Sequence, residues 1–109
     1  MASATYELIG KAIRAEQQIT CRYGGHYREL CPHVLGRTNG EEKLLAFQFG
    51  GTGSKPLPPG GEWRCLRVAG MSEVQARDGR WHEGGSHRSE QSCVADVDLD
   101  INIHVRRRR

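Results

Sequence analysis

Tyr27-Arg28-Glu29-Leu30-Cys31-Pro32-His33-Val34-Leu35-Gly36, then Arg37-Thr38-Asn39-Gly40, then Glu41 to Gly50 with Leu44-Leu45-Ala46-Phe47-Gln48-Phe49 inside it, is the stretch whose reading decides the fold. Asn39-Gly40 stands between two runs of β-compatible residues, and both residues tolerate the positive φ that a tight type I′ turn demands, so the stretch predicts a β-hairpin. Leu44 to Phe49 is apolar on both faces except at Gln48, the pattern of a central strand covered on both sides.

Working outward from the hairpin, Leu8, Ile9, Ala12, Ile13 and Ala15 form a stripe of period 3.6 between Ser3 and Gln18, with Glu7, Lys11, Arg14 and Glu16 facing elsewhere. That predicts an amphipathic N-terminal helix capped by Ser3 or Thr5. Ile19, Cys21 and Tyr23 alternate with Thr20 and Arg22 in a first strand, and Gly24-Gly25 turns it into a second hairpin that shares the strand Tyr27 to Gly36. Gly50 to Gly61 has almost nothing to bury and reads as a long loop. Its glycines do not form a phosphate-binding loop, because no Gly-Lys-Ser/Thr ending opens onto a helix.

Glu62 to Val68 predicts a fourth strand with Trp63, Cys65 and Arg67 on one face and Arg64, Leu66 and Val68 on the other; Ser72 to Arg77 predicts a short fifth. Trp81 to Gln91 is polar and reads as irregular, and the alternation of Val97, Leu99, Ile101, Ile103 and Val105 predicts a late edge strand. The fold class expected is mainly β (α+β): a helix, then a five-stranded, strongly bent antiparallel sheet closing as a small barrel with Leu45, Phe47, Leu66 and Val68 in its core. Residues 1–80 carry that barrel, and residues 81–109 are a C-terminal extension packed on the same single domain.

The 109 residues suffice for one domain with a modest core, and the 14 glycines suggest a turn-rich β protein over a helical bundle. No apolar run approaches the ~20 residues of a membrane span, and Met1-Ala2-Ser3-Ala4 lacks the regions of a signal peptide, so a soluble cytoplasmic protein without membrane contact is expected. In such a compartment Cys21, Cys31, Cys65 and Cys93, none in Cys-x-x-Cys spacing, are expected as buried thiols, with no metal. Asp96, Asp98 and Asp100 would share a strand face about 7 Å apart, which reads as a solvated face over a cation site. The formal charge of +3 is misleading: without Arg106 to Arg109 the 16 basic side chains fall to 12 against 13 acidic ones. Any anion site must therefore come from local clustering. Four consecutive arginines are expected to order only against an acidic surface or a phosphate backbone.

With the elements in place, the succession of helix, Tyr23-Gly24-Gly25, Arg28, Pro32, Gly36 to Gly40, Leu44-Leu45-Ala46-Phe47 and Trp63 to Met71 resembles the WYL domain. That family carries a strand patterned Trp-Tyr-Leu-Val-Ala-Tyr and a later one patterned Phe-Arg-Leu-Asp-Arg-Ile. The first falls on Glu42 to Phe47, where Leu44, Leu45, Ala46 and Phe47 fit and Glu42 and Lys43 replace the name-giving pair. The second falls on Leu66 to Met71, where Arg67, Val68 and Met71 keep their places while Ala69 and Gly70 stand for Asp and the second Arg. The resemblance spans about residues 5–77. It implies an Sm-like small barrel acting as a ligand-sensing, regulatory module of the kind attached to DNA-binding domains in bacterial transcription factors, with a basic pocket that accepts nucleic acid or a nucleotide. No helix-turn-helix is read in these residues, so a stand-alone domain is expected.

Independently of the family, Arg22, Arg28, Arg37, Arg64 and Arg67 lie on or beside strands, where the guanidinium fork suits phosphate oxygens, and Tyr23, Tyr27 and Trp63 can stack on bases. Arg28 and Arg67 are the expected anion-binding pair, with Arg22, Arg64, Tyr23 and Trp63 around them. The alternative is a protein-protein interaction module that forms a homo-oligomer or docks on a partner through exposed strand edges. No enzyme is expected: Cys31 with His33, or Cys93 with Asp96, lacks the third group that activates a nucleophile, and neither a catalytic residue nor a cofactor is indicated.

Overall fold

Ser3 begins the first element as predicted: its Oγ accepts the Tyr6 N–H at 3.1 Å, satisfying one of the donors that a helix start leaves free. Helix α1 runs Ala4–Arg14 in the computed structural model, which describes residues 2–83 and 91–105. Glu7 in its first turn and Lys11 and Arg14 in its last complement the helix dipole. It buries Tyr6, Ile9, Ala12 and Ile13. The helix stops short of the predicted Gln18 because Glu16 adopts a left-handed φ of 51°, and the Gln17 N–H returns to the Ala12 carbonyl at 2.8 Å.

The strands follow as β1 (Gln18–Tyr23), β2 (His26–Thr38), β3 (Glu41–Gly51), β4 (Glu62–Arg67), β5 (Met71–Arg77) and β6 (Asp96–Asp100), with a 3₁₀ turn Val68–Gly70 between β4 and β5. Asn39 and Gly40 have φ of 52° and 79°, the paired positive values of the predicted turn. All ladders are antiparallel and run in the order β4-β3-β2-β1-β5, with β6 on β2. β2 is long enough to serve two partners along one edge: β1 pairs with it as far as Leu30, and β6 from Val34 to Arg37. Pro32, which has no N–H to give a ladder, falls in the gap between them. Gly36 lets β6 lie flush, since a β-carbon there would collide with the Asp96 carbonyl and Val94. The sheet is open: β4 and β5 end its path and are joined only through the 3₁₀ turn, so the expected closure into a barrel is not made by hydrogen bonds.

One face of the sheet packs on α1 through Ile19, Cys21, Leu30, Leu35, Leu44, Ala46, Leu66 and Val68; Leu99 and Ile101 of the C-terminal extension join the same core. Leu45 belongs to a smaller cluster on the other face with Val34 and Val94, flanked by Trp63 and Cys93. All four expected core residues are thus buried, distributed over two layers.

Two expectations are corrected. The late strand ends at Asp100, and Ile101–Val105 forms a π-helical turn. The Asp100 carboxylate accepts the Asn102 N–H at 2.9 Å and His104 Nδ1 accepts the Asp100 N–H at 2.9 Å, local bonds that compete with a continued ladder. Cys65 and Cys93, expected as thiols, form a disulfide across a Cα–Cα distance of 5.6 Å. Cys65 projects from the outer face of β4 onto the segment leading to β6, a meeting that their separation of 28 residues does not announce. Cys21 and Cys31 are buried thiols, each pushed up to about 11 mainly by burial. Residues 84–90 of the stretch read as irregular, and Arg106 to Arg109, lie outside the described residues.

Candidate anion-binding site

Register decides which side chains meet at the end of the inner face. Gln48 of β3 pairs with Leu30 on one side and Glu62 on the other, so Arg28, two residues before Leu30, and Arg64, two residues after Glu62, reach it diagonally on the same face. Arg28 Nη1 donates to Gln48 Oε1 at 3.1 Å and Arg64 Nε donates to the same oxygen at 3.0 Å. The Gln48 amide in turn donates to the carbonyls of Gly50 and Thr52, both at 3.0 Å, and the Thr52 N–H is held by the Tyr27 carbonyl at 2.8 Å. The start of the long loop is therefore fastened over the two arginines. Gly53 lies beside both guanidiniums: a β-carbon on it would be in ordinary contact, 3.7 Å from Arg28 Nη1 and 3.8 Å from Arg64 Nη2.

Tyr23 completes the floor: its carbonyl accepts from Arg28 Nε at 3.3 Å, and the guanidinium carbon sits 5.3 Å from the centre of its ring. The Tyr23 hydroxyl accepts the Arg67 N–H at 3.1 Å, tying β1 to the end of β4. Arg28 is only 8% exposed, yet its hydrogen-bond partners are an amide oxygen and a peptide oxygen. Among the described residues no carboxylate pairs with it, whereas Arg64 pairs with Glu62 at 3.1 Å. Its positive charge is felt by its cross-strand neighbour Cys21, where it opposes the upward push of burial.

The other expected site residues go elsewhere. Arg67 turns its guanidinium to Glu41, with Nη2 and Nε at 2.9 and 3.0 Å from one carboxylate oxygen, and remains largely exposed. Arg22 pairs with Glu73 at 3.3 Å and is exposed on the outer face. Trp63 packs in the outer layer, edge-on to His33 at 4.7 Å and to Phe47 at 5.3 Å, on the face opposite Arg64. The structure thus brings Arg28, Arg64 and Tyr23 together and leaves Arg67, Arg22 and Trp63 outside the group. Gln48 and the segment from Gly50 to Gly53, where β3 ends at Gly51 and passes into the loop, were missed from sequence; for Gln48 the signal was there, as it is the one polar residue in an otherwise apolar run.

The remaining clusters are engaged in structure. His33 Nδ1–H donates to the Cys31 carbonyl at 2.8 Å, and the Cys31 sulfur accepts the His82 N–H at 3.3 Å. Asp98 accepts from the Tyr6 hydroxyl and from Arg37 at 3.0 Å. Among the described residues no three His, Cys, Asp or Glu side chains converge as metal ligands, and no helix is long and apolar enough to cross a membrane. Comparison of the chain with protein-family models, curated proteins and solved structures gave no match.

Proposed function

We propose that this chain is a non-enzymatic binding module that takes a phosphate-bearing ligand, a nucleotide or single-stranded nucleic acid, on Arg28 and Arg64, as the resemblance to ligand-sensing WYL domains implies. The observation that carries the reading is the burial of Arg28 without a carboxylate partner among the described residues. Buried charges are ordinarily paired, because desolvating an ion costs several kcal/mol that neutral hydrogen bonds only partly offset. A phosphate group supplies the missing negative charge and enough oxygens for both guanidiniums, and Tyr23 offers an aromatic ring beside them.

The Sm-like part of the proposal is supported by strand order and by the preceding helix, together with the Tyr23 hydroxyl that draws the ends of β1 and β4 toward each other. A cytoplasmic location belongs to the same proposal. A second reading, docking or self-association through sheet edges, is favoured by the outer edges of β4 and β5, which pair with no further strand among the described residues and offer a row of backbone groups to another strand.

Fluorescence anisotropy of a labelled single-stranded oligonucleotide tests the ligand. Replacing Arg28 and Arg64 with Ala is expected to weaken binding more than about tenfold, since each charge-assisted bond to phosphate is worth roughly 1.5–3 kcal/mol. Arg67→Ala, which removes an exposed arginine already held by Glu41, is expected to change it by less than about threefold. Equal losses from both variants would refute the assignment of the site.

A further inference from the structure

Cys65 sits one residue from Arg64 on a strand that, among the described residues, has one hydrogen-bonded neighbour. β4 is six residues long, pairs with β3 alone, and follows a loop without regular structure from Thr52 to Gly61. Edge strands so placed are the elements that open locally at low free-energy cost. The outer face of β4 is held by the disulfide to Cys93 and by Trp63 against His33 and Phe47, while the neighbouring side chains Arg64 and Leu66 point to the inner face. Cys93 itself is anchored by contacts that do not involve sulfur: its carbonyl accepts from Thr38 Oγ1 at 3.0 Å, and Gln91 brackets the adjacent Val94 with bonds of 2.7 and 2.8 Å. The bridge thus ties an edge strand to a segment that is anchored independently of sulfur.

The two cysteines are also differently exposed. Cys65 is exposed and Cys93 is half-buried, with Sγ 3.5 Å from the Leu44 carbonyl oxygen. A thiolate from solution has its approach at Cys65, and the leaving Cys93 sulfur, once protonated, has an acceptor waiting in Leu44. The other two cysteines are buried with their thiols pushed up to about 11, which keeps them out of exchange at neutral pH.

We propose that Cys65–Cys93 is a thiol-exchange latch that fixes β4, and with it Arg64, when oxidised and releases them when reduced by a dithiol. One thiolate of the dithiol attacks Cys65 Sγ, the Cys65–Cys93 bond breaks, and Cys93 leaves as a thiolate that takes a proton. The second thiolate of the dithiol then displaces Cys65 from the mixed disulfide. Two electrons and two protons pass to the chain, and the dithiol becomes a disulfide. A latch of this kind reconciles a disulfide with a reducing compartment, where such bridges are transient and redox-sensing. The release of β4 stands by itself; its effect on ligand rests on the phosphate reading above.

Treatment of the native protein with dithiothreitol, followed by thiol counting and amide hydrogen exchange, tests the latch. Accessible plus buried thiols, counted after rapid unfolding, are expected to rise from the two of Cys21 and Cys31 to all 4 cysteines. Exchange in Glu62–Arg67 is expected to quicken by at least about tenfold while β1 and β2 stay protected. The Cys65→Ser/Cys93→Ser variant should match the reduced chain, and reoxidation of the native chain should restore protection, which separates the latch from a failure to fold. A bridge that resists dithiothreitol in the folded protein, four thiols in the untreated protein, or unchanged exchange in β4 would overturn the proposal. With the labelled oligonucleotide, reduction is expected to weaken binding about threefold or more. If the latch opens but binding is unchanged while Arg28→Ala abolishes it, the coupling is wrong and the site stands. If Arg28→Ala has no effect on binding, the site is wrong, and faster exchange in β4 still supports the latch.

Discussion

Arg28 is the residue at which the economy of this fold is least self-sufficient. A guanidinium with 8% exposure is held by Gln48, by the Tyr23 carbonyl and by the face of the Tyr23 ring, all neutral groups. Gln48 is fully buried and uses both ends of its amide, one for two arginines and the other for the carbonyls of Gly50, near the end of β3, and Thr52, at the start of the loop. Replacing it with Leu keeps the volume but leaves two guanidiniums without their acceptor and two carbonyls without their donor. The expected result is a loss of about 2–4 kcal/mol in unfolding free energy, read from urea denaturation, with lower order in residues 50–53. A change below about 0.5 kcal/mol would mean that water replaces the amide at no cost and that the cluster is not built around Gln48.

At the scale of elements, α1 is fastened by a polar seam as well as by its apolar face. The Tyr6 hydroxyl donates to Asp98 of β6, and Arg37 of β2 lies 4.9 Å from the Tyr6 ring while pairing with Asp98. At the helix start Ser3 Oγ donates to Glu42 at 2.6 Å. Burial first, and then the bond to Asp98, raise the Tyr6 phenol above its ordinary 10.0. A folded-state pKa above the unfolded one gives a contribution fully present below about pH 10 that is lost as the pH climbs toward the raised value, because the unfolded phenol ionises first. Stability is therefore expected to fall with pH above about 10, and Tyr6→Phe to flatten that fall while costing about 1–2 kcal/mol at neutral pH. An alkaline limb with the same slope in the variant would show that another group governs it.

The same elements show what a sequence reveals and what it hides. Both hairpins were legible because their cause is local: Asn39, Gly40, Gly24 and Gly25 carry the positive φ that their turns need. The central strand was legible because Leu44 to Gln48 is buried on both faces. The end of β6 was not, since Val97 to Val105 alternates without interruption and only the side-chain bonds of Asp100 and His104 stop the ladder. Nor was the bridge from Cys65 to Cys93, which depends on β6 lying along β2 so that the segment before it passes over the outer layer. In the site, Arg28, Arg64 and Tyr23 could be named from residue type, but the choice of Arg64 over Arg67 required the register of β3 and β4. That register sends Arg67 toward Glu41, at the hairpin end of the strand.

Over the whole molecule, two features compete for the role of binding surface: the arginine cluster at the end of the inner face and the open edges of β4 and β5. The fold has a near-neutral body once Arg106 to Arg109 are set aside, so long-range attraction does not favour the cluster; its claim rests on local geometry. The β5 edge lies at the far end of the sheet path from Gln48, and the outer edge of β4 is turned away from β3, the strand that carries Gln48. A titration followed residue by residue therefore tells them apart. Nitrogen-proton correlation spectra recorded while a single-stranded oligonucleotide is added, including the side-chain Nε–H signals of Arg28 and Arg64 and the amide of Gln48, test the central claim most directly. Saturable shifts confined to those side chains, Tyr23 and residues 50–53, declining as salt is raised, are the result expected of a phosphate site. No shift at Arg28, or shifts that follow protein concentration along the outer edges of β4 and β5, would contradict it and assign the binding surface to the strand edges.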